Sequence, residues 1–109
     1  MPEYFACTVD EVAPGDVHAV GIDIPGKPLP LAVALVHAET GNWFAVDNRC
    51  SHGRFKLAEG YVDGETLECT RHGSAFDLHT GQPLNPPASA PVKTYQVRVD
   101  GDDVYITVN

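Results

Sequence analysis

No window of a dozen residues in this sequence repeats its apolar positions with a helical period, and that decides most of what the chain can fold into. Ten glycines and nine prolines are spread through 109 residues. The apolar stretches between them are short and rich in Val, Ile, Tyr and Phe, the side chains a pleated surface accommodates best. The sequence reads as all-β. Strands are expected near residues 4–8, 17–22, 31–37 and 42–47, the last two joined by a hairpin turn at Thr40 and Gly41. Residues 93–100 and 102–108 alternate strictly: Tyr95, Val97 and Val99 fall on one face, as do Val104, Ile106 and Val108, with Gly101 supplying the turn. Residues 9–16 have room for one short helical turn. Cys7 alternates with Phe5 and Val9 and is expected to be a buried structural thiol.

Between these patterned ends, residues 48–90 have little periodicity but hold five glycines and the prolines Pro83, Pro86 and Pro87. Such a stretch buries little apolar surface by itself, so something else must hold its loops. It also holds the two constellations with chemistry in them: Cys50-Ser51-His52 and, sixteen residues further on, Cys69-Thr70-Arg71-His72. Each half offers one thiolate and one imidazole just after a strand-like stretch, residues 43–47 or 66–68, so two loops can pinch one centre. The order Cys, His, Cys, His lets each loop send its cysteine to one iron and its histidine to the other in a two-iron, two-sulfide rhomb. A tetrahedral zinc has no need of that order, and zinc fingers usually pair their cysteines in one turn and their histidines in another. A structural zinc site in a non-redox interaction module remains the alternative.

The chain also carries residues that resemble a known family. Cys50-Ser-His52-Gly, Leu57-Ala-Glu-Gly60-Tyr61, Cys69-Thr-Arg-His72-Gly73-Ser74-Ala-Phe76-Asp77, Thr80-Gly81 and the proline-rich residues 83–88 are similar to the Rieske [2Fe-2S] motif and its surroundings. The resemblance is densest over residues 48–88. It implies one small Rieske domain spanning 1–109: an antiparallel β-sandwich-like base with an inserted cluster-binding subdomain at about 48–90. It implies one [2Fe-2S] cluster, with Cys50 and Cys69 on the buried iron and His52 and His72 on the outer one. As a class such centres span about −150 to +300 mV. Residues 83–88 read either as a plain loop or as a cover that limits water access to the cluster.

Departures from the motif are as informative as matches. High-potential members carry an extra cysteine in each cluster loop, joined by a disulfide; the matching positions here are Phe55 and Arg71, so that staple is missing. Those members also place a tyrosine hydroxyl on a ligand cysteine where this chain has Phe76. Ser74 matches a serine that donates to a bridging sulfide. The pattern resembles the ferredoxins of bacterial aromatic ring-hydroxylating dioxygenases, at the low end of the potential range. It implies a one-electron carrier, not itself an enzyme, between a flavin-dependent reductase and a terminal Rieske non-haem iron oxygenase in aromatic hydrocarbon catabolism. A Rieske-like small subunit of an assimilatory reductase is the second redox reading. A complete oxygenase is excluded, since its mononuclear iron needs a further domain.

Charge fits a carrier. Two ferric ions, two sulfides, two thiolates and two neutral imidazoles sum to zero, so reduction adds a single negative charge. Histidine ligation leaves the core less negative than four cysteines do, which raises the potential. His52 and His72 are expected where electrons leave and arrive. The chain has a net charge of −8, which argues against nucleic-acid binding, because phosphate contacts need a basic surface. Four of its seven basic residues, Arg49, Arg54, Lys56 and Arg71, lie close to the candidate ligands in sequence, whereas Asp100, Asp102 and Asp103 lie in the C-terminal hairpin. Ordinary solvation accounts for such side chains equally well.

Apolar residues make up 43% and charged residues 20% of the chain, as in soluble globular proteins. The longest nearly uncharged run, residues 24–36, holds three prolines and Lys27 and is too short to span a bilayer, so no membrane partner is expected. The start, Met1-Pro2-Glu3, lacks a secretory signal pattern, and three cysteines make no disulfide framework; the expected compartment is the cytoplasm. His18, His37 and His79 have no partner ligands at useful spacing and read as surface or strand residues, and Trp43 and Phe44 as packing of the base.

Overall fold

The computed structural model describes residues 2–49, 56–69, 74–85 and 90–108. Among them the strands are β1 (Glu3–Thr8), β2 (Asp16–Ile22), β3 (Leu31–His37), β4 (Trp43–Asp47), β5 (Tyr61–Asp63), β6 (Thr66–Glu68), β7 (Ala75–Asp77), β8 (Thr94–Asp100) and β9 (Asp103–Thr107). The first four and last two form a six-stranded sheet in the order β1-β9-β8-β4-β3-β2, and the middle three form a separate sheet, β5-β6-β7. The named strand pairings are antiparallel. The large sheet curls until its edge strands β1 and β2 pack against each other, which gives the sandwich-like base. The expected helical turn is a 3-10 turn at Val9–Glu11.

β3 explains how the two sheets share one molecule. Its run Leu31-Ala-Val-Ala-Leu-Val36 is apolar without alternation, the signature of a strand buried on both faces. Val33 and Leu35 point into the base with Ile22, Ala45, Tyr95, Val104 and Ile106. Ala34 and Val36 point the other way, and with Val46 they meet Leu57, Leu67, Cys69, Phe76 and Leu78 of the insert. Fully burying a Leu or Phe contributes roughly 1.5–3 kcal/mol, against about 0.5–1.5 kcal/mol net for a hydrogen bond. The shared apolar layer therefore holds the insert onto the base, and hydrogen bonds set its position.

β1 departs from its expected alternation. Cys7 is buried, as expected, but Phe5 is exposed. The register runs Phe5 to Tyr105 and then Cys7 to Val104, so Ala6 is an extra residue opposite β9. Such a bulge turns the following side chains to the other face. Burial raises the Cys7 thiol pKa above its ordinary value, in keeping with an inert structural role.

A polar latch joins insert to base at the β3–β4 hairpin, where Gly41 has a φ of 94°. Glu65, in the β5–β6 turn, accepts hydrogen bonds from Thr40 Oγ1 (2.8 Å) and Asn42 Nδ2 (2.6 Å) and pairs with His79 Nε2 (2.7 Å). The His79 ring stands edge-on to Phe44, with 4.9 Å between centroids. Hydrogen bonds from Asn42, His79 and Thr40 hold the Glu65 carboxyl down at about 2. A depressed folded-state value stabilises the fold above the ordinary carboxylate range and is lost as pH falls from about 4.5 through about 2. Glu65→Gln is expected to melt below wild type at pH 6, with the difference in Tm shrinking toward pH 2; melting curves followed by far-UV circular dichroism across that range check it.

Candidate metal centre

The first candidate ligand stretch follows a neck built by Asn48, just past β4. Its N–H donates to the Ala32 carbonyl (3.1 Å), and its own carbonyl accepts the Leu57 N–H (2.7 Å). Its side-chain Oδ1 accepts the Ala58 N–H at 2.7 Å. Arg49 and Lys56 form an antiparallel bridge just beyond. Asn48 is buried; two of its three bonds hold it to Leu57 and Ala58, and the third fixes it to β3. Cys50 and His52 lie within that stretch, outside the described residues, as do Arg54 and Phe55.

The return from this neck explains part of the motif. Leu57 opens a 3-10 turn, Leu57–Glu59, and is fully buried in the layer shared with the base. Directly after that turn, a Cβ on Gly60 would collide with the Glu68 carbonyl, so only glycine lets β6 pass that closely.

The second neck is one step past the β6–β7 ladder. Glu68 pairs with Ala75, and the Cys69 N–H then donates to the Ser74 carbonyl at 2.7 Å. Cys69 and Phe76 are each 1% exposed and Ser74 is fully buried. Of the expected site residues, these three are thus brought together: Cys69 and Phe76 share one apolar cluster with Leu67, and Ser74 bonds to Cys69 through the backbone. His72 and Arg71 lie in residues 70–73, outside the described residues. Of the proline-rich cover, Pro83 bridges to Phe76 on the outer side of β7, while residues 86–88 lie outside the described residues.

Among the described residues no three of His, Cys, Asp and Glu gather in a way that holds a metal ion. Two of the three histidines outside the motif have other partners. His37 Nδ1 meets the Val12 carbonyl at 2.9 Å, and its ring stacks on Trp43 at 4.1 Å. His79 belongs to the Glu65 latch. In the C-terminal hairpin, Arg98 pairs with Glu3 (2.9 Å) and Asp100 (3.4 Å), so part of the acidic surface there is neutralised. Asn48 and Glu65 escaped the sequence reading, because a lone Asn or Glu in a loop has no period and no ligand spacing to mark it.

Residues 2–96 match the family model described as the Rieske [2Fe-2S] domain. The chain belongs to the Rieske [2Fe-2S] domain family. It is 42% identical to the 3-phenylpropionate/cinnamic acid dioxygenase ferredoxin subunit of Photorhabdus laumondii, over 100% of this chain and 97% of that one. It is 38% identical to the biphenyl dioxygenase ferredoxin subunit of Pseudomonas sp. strain KKS102, over 93% and 87%. The solved structure of a Sphingomonas yanoikuyae B1 ferredoxin superposes with a TM-score of 0.83 at 34% identity, covering 99% of this chain and 100% of that one.

This Rieske domain carries one [2Fe-2S] cluster. The described part of the donor set fits that group. Cys69 offers a thiol shielded from water in an apolar layer, with the buried Ser74 beside it in the same backbone rung. The matched family model is a [2Fe-2S] domain over residues 2–96, and relatives of similar length are ferredoxin subunits. Zinc is accordingly not favoured.

The first neck depends on one side chain. Asn48→Ala leaves the half-buried Ala58 N–H without its acceptor and is expected to cost about 1–3 kcal/mol, read as a lower urea midpoint with an unchanged slope.

Proposed function

We propose that this chain is a one-electron carrier that takes electrons from a flavin-dependent reductase and passes them to the terminal oxygenase of an aromatic ring-hydroxylating dioxygenase. The observation that carries this reading is the end-to-end match to dioxygenase ferredoxin subunits, 42% identical across all of this chain. A ferredoxin subunit moves electrons and leaves oxygen chemistry to its partner, so the chain is not itself an enzyme. The small subunit of an assimilatory reductase is not favoured, because the relatives are dioxygenase subunits.

Cys50, His52, Cys69 and His72 are the proposed ligands, and the cluster-binding subdomain is proposed to span about 48–90 within one domain of 1–109. When bound, the cluster supplies a couple that gains or loses one electron without breaking a bond. The protein's part is to hold the ligands and exclude water. Asn48 and the Cys69–Ser74 rung fix the chain at the two necks, and the apolar layer keeps the Cys69 sulfur dry. His52 and His72 make the exchange surface, with Arg49 and Lys56, both exposed, nearby in sequence. No helix among the described residues is long and apolar enough to cross a membrane. A cytoplasmic setting belongs to the same proposal, supported by a cysteine set that fits no disulfide framework.

Wild-type protein is expected to contain two iron atoms and two acid-labile sulfides per chain. Its dithionite-reduced EPR spectrum should show the lowered average g value of mixed nitrogen and sulfur ligation. Cys50→Ser or Cys69→Ser should abolish the cluster while the large sheet persists. A colourless, zinc-loaded wild type overturns the assignment.

Ser74 and Phe76 are proposed to tune the potential. A hydrogen bond to sulfur favours the reduced state, which carries the extra negative charge, and only the difference in its strength between the two oxidation states counts. A bond to a charged group is worth roughly 1.5–3 kcal/mol in full, and a one-electron couple moves about 59 mV per tenfold change in equilibrium. The differential part therefore amounts to tens of millivolts. Phe76→Tyr is expected to raise the potential and Ser74→Ala to lower it by about that much, as measured by protein-film voltammetry at fixed pH; unchanged potentials in fully assembled clusters remove both residues from this role.

A further inference from the structure

The chain after β7 runs back along its outer side. The Asp77 N–H donates to the Gln82 carbonyl (2.9 Å), and the Leu84 N–H donates to the Ala75 carbonyl (2.8 Å). Pro83, lacking an N–H, sits opposite Phe76, at the position between those bonds where an antiparallel ladder asks nothing of it. In a regular pair the Ala75 N–H would return to the Leu84 carbonyl. Here it donates instead to the side-chain Oδ1 of Asn85, at 2.7 Å. A side chain thus completes the last rung.

That rung bears on one peptide unit. The peptide joining Ser74 to Ala75 is held on one side by the Cys69 N–H at its carbonyl and on the other by Asn85 at its N–H, both at 2.7 Å. Cys69, Ser74 and Asn85 are therefore in series through a single planar group, which transmits a rotation at one end to the other. The sequence after Asn85 is Pro86-Pro87, two residues without an N–H to donate.

We propose that Asn85 is a positioning residue for the metal centre: its carboxamide clamps the Ser74–Ala75 peptide, so fixing the Ser74 side chain and the Cys69 backbone and tying residues 82–85 to the site. This rests on the proposed roles of Cys69 and Ser74. It assigns to a polar side chain the ordering that a covalent staple supplies elsewhere, and it makes Asn85 a determinant of the potential without contact to the cluster.

Two measurements on cluster-loaded protein test it. Hydrogen exchange at the Ala75 amide, read by mass spectrometry, is expected to be about tenfold faster in Asn85→Ala than in wild type. Asn85→Asp, which keeps the Oδ1 acceptor, should restore protection. By voltammetry, Asn85→Ala should shift the potential in the same direction as Ser74→Ala, and the double variant should sit at the Ser74→Ala value. Wild-type exchange in Asn85→Ala, exchange in Asn85→Asp as fast as in Asn85→Ala, or additive shifts in the double variant overturns the proposal. If Asn85→Ala does not accumulate as folded protein, Asn85→Asp decides alone: wild-type protection at Ala75 supports the clamp, and raised exchange overturns it. Iron and sulfide content far from two each would instead defeat the cluster assignment, a failure visible in wild type before any variant is made.

Discussion

The double-sided burial of β3 is the constraint on which the rest depends. One strand must satisfy two cores at once, because Val33 and Leu35 belong to the base while Ala34 and Val36 belong to the layer under the insert. The insert is small, with strands of three residues each, and strands so short do not make an independently stable sheet. It borrows stability from β3 and β4, and Cys69 is among the residues buried by that loan. The proposed metal ligand is thereby packed against the base through Ala34, Val36 and Val46.

Apolar layers slide unless something fixes their register, since the hydrophobic effect is not directional. Here a few polar side chains on backbone groups do the fixing. Asn48 ties the neck of residues 50–55, Asn85 completes the ladder beside Ser74, and Glu65 latches the β5–β6 turn to the β3–β4 hairpin. Each spans ten or more residues of sequence. Their individual energies are modest, but they act on positions, and a centre that exchanges electrons depends on positions.

The base was legible because its strands carry period and β-branched side chains: 31–37 matches β3 in full, and 17–22 and 42–47 miss β2 and β4 by one residue each. β5 and β7 were not legible. Tyr61–Asp63 and Ala75–Asp77 are too short to show alternation, and their place is set by contacts with β6 and the base. The bulge at Ala6 was equally invisible, for nothing local distinguishes an extra residue from a paired one. Among the proposed site residues, Cys69, Ser74 and Phe76 were singled out by the spacing and the family motif, and they are neighbours in the structure. Asn48 and Asn85 were missed because an asparagine's role there is defined by a backbone N–H ten residues away.

The missing staple gives these asparagines their weight. At the positions where high-potential members of the family are expected to pair two cysteines, this chain has Phe55 and Arg71, so no disulfide can form between them. A disulfide restrains the unfolded chain as well as the folded one, whereas a hydrogen bond from Asn48 or Asn85 exists only once the strands around it have formed. On the proposed ligand assignment, metal binding and the ordering of the necks are expected to be coupled. The base shares the layer containing Cys69 through Ala34, Val36 and Val46 and keeps a second core of its own. It is the scaffold on which the centre is assembled.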